Sequence, residues 1–242
     1  MSPVGHLAVR PFELADEFYL LAHHNVSGAA LLHQRAVDIG LAGCLLGELL
    51  LSGWATVELV DAQPIVTALD RREVELGDLV TQSDRPARVP LDRGVWNTVV
   101  REPRRLPVRQ WLAVLGHDAA EQVADRLVEA GHLKVGRSRR SPPAPVSWSV
   151  AGGPASRLWA YLHWRNKEPG DRGLPPVHDV VLLALADAAG LSGVVLSGHE
   201  DEDGHARSYY AELLALLAQH YPMYSDLAAQ TGAAIASAVA TR

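Results

Sequence analysis

The sequence predicts a mainly α fold: a single globular domain over residues 1–242, with a central helical core ringed by amphipathic helices and a projecting β-hairpin. Three observations carry that expectation. From Ile39 to Leu51 apolar residues cover more than one helical face, so this helix has to be enclosed on most sides. Most of the remaining apolar segments repeat at spacings of three and four. Past Gly131, two short runs alternate apolar and polar residues around a Pro-rich linker, which is a hairpin pattern.

Taken in order, the central helix holds Ile39, Leu41, Ala42, Leu45, Leu46, Leu49 and Leu50, with Gly43 and Gly47 admitting close neighbours. A short strand follows over Trp54 to Val60, and Pro64 with Asp70-Arg71-Arg72 breaks what comes next, so a small hairpin fits there. Helices are expected over Leu91 to Arg101, Val108 to Leu115, Asp118 to Ala130, Ala155 to Lys167, Val177 to Ala189, Ala206 to His220 and Met223 to Ala240. The third is the best delimited, with Asp118 as N-cap, Glu121 three residues on and Gly131 at its end. The second hairpin pairs His132 to Arg137 with Val146 to Val150 across Ser138 to Pro145. A loop from Lys167 to Pro176 sets off the last helices.

Composition narrows the function classes. The 242 residues are 48% hydrophobic and 21% charged, as in ordinary globular proteins. Lone Cys44 makes no internal disulfide and no Cys-based zinc site, which fits a reducing cytosol. Met1 to His24 carries Glu13, Asp16 and Glu17 against one Arg, unlike a signal peptide, and the Ile39 to Leu51 run is too short to span a bilayer. The expected location is therefore cytoplasmic. Lys occurs only at 134 and 167, and the Arg, Ala, Gly and Val bias is that of a GC-rich bacterial genome.

Charge is uneven. Net charge is −6, yet residues 101–140 hold nine Lys/Arg and five Asp/Glu, a local +4 that leaves −10 elsewhere. A basic face on an acidic protein points to an anionic partner, phosphate or lipid headgroup, and away from general nucleic-acid affinity. The cations that form a compact group are Lys134, Arg137, Arg139 and Arg140, with Trp148 on the returning strand. A hairpin presenting them suits the inner face of a membrane, where each cation contributes about 1 kcal/mol and Trp anchors at headgroup level. The competing reading is a solvated loop with Trp148 folded into the core.

Other constellations are weaker. His199-Glu-Asp-Glu-Asp-Gly-His205 concentrates metal-ligand types without helical His spacing, and an acidic solvated loop is the plainer reading, so no metal is expected. His23-His24 marks the end of a buried segment. No nucleophile elbow or phosphate-cradling loop is present, and Cys44 lies in the most apolar helix, so no catalysis or cofactor is expected. Val108 to Val150 also has a winged-helix layout, the alternative being a DNA-binding regulator. Its reading helix, however, carries Asp118, Glu121, Asp125 and Glu129 against Arg126.

Gly40-Leu-Ala-Gly-Cys-Leu-Leu-Gly-Glu48-Leu-Leu-Leu-Ser-Gly53 resembles the Gly-Leu-x-Gly-Cys-x-Leu-x-Glu-Leu-x-x-x-Gly run of the Golgi phosphoprotein 3 family. Ser83-Asp84, Leu91-Asp92, Trp111-Leu112, Leu127-Val-Glu-Ala-Gly131 and Leu182-Leu-Ala-Leu185 follow in the family's order. The resemblance implies the mainly helical fold above and a non-catalytic peripheral membrane adaptor. Its eukaryotic members bind phosphatidylinositol 4-phosphate and bridge membranes to protein tails. Their headgroup pocket of one Trp and three Arg falls here on His33, Ala42, His117 and Ala120, so it is not carried over. Anionic lipid through the basic hairpin, and a protein tail, remain the expected partners.

Overall fold

The computed structural model describes residues 12–24, 27–69, 91–134, 144–145, 158, 175–196 and 205–240. The described elements are α1 (Leu14–Ala22), α2 (Gln34–Leu51), β1 (Ala55–Val60), β2 (Gln63–Ala68), α3 (Leu91–Arg101), α4 (Val108–Leu115) and α5 (Ala119–Glu129). They continue with β3 (Leu133–Lys134), β4 (Ala144–Pro145), α6 (Val177–Ala188), α7 (Ser192–Leu196), α8 (His205–His220) and α9 (Pro222–Ala240). The architecture is mainly α, with two small antiparallel hairpins.

Helix α2 is the axis of the molecule, as its all-round apolar character requires. Every residue from Gly40 to Leu50 is buried, and α1, α3, α4, α5, α6, α9 and β1 all touch it. Its glycines set how closely the neighbours approach. A methyl group at Gly43 would stand 2.7 Å from Thr231 Oγ1 on α9, and one at Gly47 would stand 2.7 Å from Leu14 Cδ2 on α1. At Gly40 it would overlap the Phe18 ring. The spaced glycines of the motif are thus seats for α1 and α9.

Helix α1 was not anticipated from the sequence. Asp16 accepts the Glu13 N–H at 3.1 Å, one arm of a capping box, and Leu14, Phe18 and Leu21 face the core. The helix ends at His23, whose ring stacks on Tyr19 at 4.0 Å and bonds the Tyr19 carbonyl at 2.7 Å. His23 therefore closes a buried segment, as its position suggested. Burial lowers its pKa.

The first hairpin turns through Asp61 and Ala62, both at positive φ (49° and 61°), which lets a two-residue connection follow the strand twist. Most expected helices match closely. The last two begin one residue earlier than expected, and short α7 was not anticipated. Of the helix expected over Ala155 to Lys167, only Leu158 is described, helical and fully buried; the rest lies outside the described residues. The second hairpin differs in register: Leu133 pairs with Pro145 and Lys134 with Ala144. The return strand thus starts inside the stretch expected to be linker, and an edge position tolerates proline's missing N–H.

Candidate lipid-binding surface

The approach to the basic segment is set by how α5 ends. His132 N–H bonds the Leu127 carbonyl at 2.8 Å and Gly131 N–H bonds the Val128 carbonyl at 2.9 Å, with Gly131 at φ +77°. This is a Schellman ending, which needs glycine at the left-handed position. The chain then enters β3 with Leu133 buried and Lys134 exposed. The His132 ring lies 4.5 Å from Phe12, fixing the exit from the helix against the core. Of the five residues expected to meet lipid, Lys134 is placed in this way. Arg137, Arg139, Arg140 and Trp148 lie outside the described residues, as does all but His205 of the acidic stretch His199 to His205.

Arg126, the lone cation of α5, points the other way. Its Nε is 2.8 Å from Asp16 Oδ1, and its Nη2 and Nη1 are 3.1 and 3.3 Å from the two Glu48 oxygens. Glu48 also accepts the Ala15 N–H at 2.7 Å. The group ties α1, α2 and α5 together in the interior. Burial raises the Asp16 carboxyl, and Arg126 opposes that rise. What α5 leaves in solvent is Glu121, Gln122, Asp125 and Glu129.

A second buried polar cluster joins α1 to α6. His178 Nε2 is 3.2 Å from Glu17 Oε2, and one ligand-type atom each of Glu17, His178 and Asp179 lie within 4.8 Å of one another. Glu17 and Asp179 have further partners as well, so the cluster reads as a cross-link between helices and not as an open coordination site. Spacing in the sequence gave no sign of it, since 161 residues separate His178 from Glu17.

The four positions corresponding to the headgroup pocket lie on α2 and around the α4–α5 turn. His33 is the N-cap of α2, accepting the Arg35 N–H at 3.3 Å; Ala42 is fully buried; Ala120 is half-buried. His117 is exposed, 3.7 Å from Asp118 Oδ1. Between the two histidines stands Asp38, raised in pKa mainly by burial and held down by Gln34, His117 and His33. A phosphate there would meet the Asp38 carboxylate, and none of the four positions supplies a guanidinium, the reverse of what an anion pocket needs.

The profile of the Golgi phosphoprotein 3 (GPP34) family matches residues 14–240, nearly the whole chain. The chain belongs to the Golgi phosphoprotein 3 family. No curated protein matches it significantly. Within this Golgi phosphoprotein 3 protein, the residues that carried the resemblance have structural work. Gly40, Gly43 and Gly47 seat neighbouring helices, and Glu48 receives Arg126. Cys44 is fully buried, with its thiol pushed up by burial. No described helix is long and apolar enough to cross a membrane.

Proposed function

We propose that this Golgi phosphoprotein 3 protein is a non-catalytic peripheral adaptor, held reversibly on anionic lipid by the basic segment after α5. The observation that supports this most directly is the exit from α5. Leu133 is anchored in the core while Lys134 faces solvent, and Arg137, Arg139 and Arg140 follow within six residues. Membrane attraction of this kind needs accumulated positive charge and no shaped pocket. The family match supports the adaptor reading, with a protein tail as the second partner. The positions around Asp38 favour attraction without selectivity for phosphatidylinositol 4-phosphate. The DNA-binding alternative has less support, because the solvent face of α5 is acidic and its one arginine is turned inward.

Flotation with phosphatidylcholine vesicles containing phosphatidylglycerol tests the proposal. Binding should fall with salt and should be lost in the Arg137→Glu, Arg139→Glu, Arg140→Glu variant. At about 1 kcal/mol for each lost cation, the partition coefficient drops by about 150-fold or more. Replacing phosphatidylglycerol with phosphatidylinositol 4-phosphate at equal charge should change nothing. Unaltered flotation of the triple variant refutes the proposal.

A further inference from the structure

A cavity of about 410 Å³ opens between β2, α3 and the start of α4. Its size is within the range of small-molecule sites, roughly 300–1,000 Å³. Val66, Ala68, Val99 and Trp96 give it an apolar lining, and Trp111 contributes as well. None of these residues belongs to the lipid surface proposed above.

Trp111, which lines the cavity, carries a hydrogen-bond donor without an acceptor. Trp111 is 2% exposed, and its buried indole N–H has no hydrogen-bond partner among the described residues. Strand register supplies a second donor. Val66 directs its N–H to the outer edge of β2, reaching the Leu106 carbonyl at 3.3 Å, whereas Leu69 bonds back to Trp54 on the β1 side at 3.0 Å. By strand alternation the Ala68 N–H leaves on the same outer edge as that of Val66, toward the cavity that Ala68 lines.

At the mouth stand Arg104 and Arg105. Both are in surface ion pairs, Arg104 with Glu102 at 2.9 Å and Arg105 with Glu58 at 3.2 Å, with side chains 76% and 61% exposed. Pairs this exposed are weak because solvent screens them, so either guanidinium is available to a better anion. Glu102 lines the cavity too, which disfavours a multiply charged ligand and leaves room for a single negative charge.

We infer that this cavity is a binding site for a small organic carboxylate with an aromatic or branched apolar body. The apolar part lies against Val66, Val99, Trp96 and Trp111, and the carboxylate accepts from the Ala68 N–H and the two arginines. An acceptor-only head suits a site whose free polar groups are donors.

The test is a titration of the folded full-length protein with 2-naphthoate, followed by the Trp111 indole N–H resonance in a ¹H–¹⁵N spectrum and assigned with Trp111→Phe. A saturable 1:1 shift is expected. The neutral isostere 2-naphthamide, and the Arg104→Glu, Arg105→Glu variant, should each bind about tenfold more weakly, the difference between charged and neutral hydrogen bonds. Val99→Trp, which fills the cavity, should abolish the shift. If that variant fails to fold, the surface arginine variant decides. An indole resonance unmoved by 2-naphthoate overturns the inference, as does equal affinity for the amide or undiminished binding by the arginine variant.

Discussion

Replacing Arg126 with Met should be the most damaging conservative-volume change in the interior. The guanidinium makes three contacts of 2.8, 3.1 and 3.3 Å to two carboxylates, and the Asp16 and Glu48 side chains are 9% and 4% exposed. Without it, the Asp16 and Glu48 carboxylates face each other in the interior, each still accepting a backbone N–H, from Glu13 and Ala15 respectively. Breaking a buried ion pair from one side costs about 3–5 kcal/mol. For a chain of this size each kcal/mol moves Tm by about 2–4 °C, so urea and thermal denaturation should show a fall of about 6–20 °C at pH 7. The loss should shrink with acid. Burial already holds the Asp16 carboxyl above its ordinary value, and removing Arg126 removes a contribution that lowers it. A raised folded-state pKa means that the native protein takes up the proton first, so the variant regains stability as pH falls through that value and loses it as pH rises. Adding Asp16→Asn and Glu48→Gln to Arg126→Met should recover much of the loss at pH 7, because the uncompensated charges are gone. A loss below about 1 kcal/mol at pH 7, or one that does not shrink as the pH is lowered, would refute the account of this triad.

Two further outcomes follow from α2. Gly43→Val should destabilise by at least about 1–3 kcal/mol, since even the first added carbon meets Thr231 Oγ1 at 2.7 Å and that hydroxyl is fixed to the Leu227 carbonyl at 2.8 Å; wild-type urea midpoints would contradict the packing argument. Cys44 should resist a thiol reagent such as Ellman's until the protein unfolds, because the thiol is fully buried and its deprotonation is opposed by burial, Glu48 and Glu17. Stoichiometric labelling under native conditions would show that α2 opens.

What the sequence made legible was whatever rests on apolar periodicity. Helix α2 could be read because its own residues are apolar on nearly every side, and α3 and α4 because their stripes are regular. Helix α1 was hidden for a physical reason. Leu14, Phe18 and Leu21 have helical spacing, but Asp16 and Glu17 between them look like solvent-facing residues. Both are buried, at 6% and 0% exposure, because Arg126 and His178 reach them from 110 and 161 residues away. No local pattern encodes a charge neutralised from another helix. A capping signal was present in Glu13 and Asp16, three residues apart and ahead of the apolar run. For the second hairpin, prolines marked a linker where the backbone is already paired.

The inward turn of Arg126 also bears on where an anion can be met. The stretch from 101 to 140 is net basic in sequence, but α5 spends its only arginine on Asp16 and Glu48 and shows solvent Glu121, Asp125 and Glu129. Arg104 and Arg105 are in ion pairs with Glu102 and Glu58. Of the cations of this region outside these pairs, Arg101 and Arg109 are exposed on α3 and α4, and Lys134, Arg137, Arg139 and Arg140 are grouped within seven residues of sequence. Screening limits the reach of surface charge to about 8 Å at physiological salt, so an anionic surface responds to that local density and not to the net charge of −6. On the proposed lipid reading, this acidic protein meets an anionic bilayer with the end of α5 toward the lipid. Reversing Glu121, Asp125 and Glu129 to Lys should then strengthen vesicle binding less than reversing Arg137, Arg139 and Arg140 weakens it, and equal effects in flotation would mean that net charge, not position, governs the attraction.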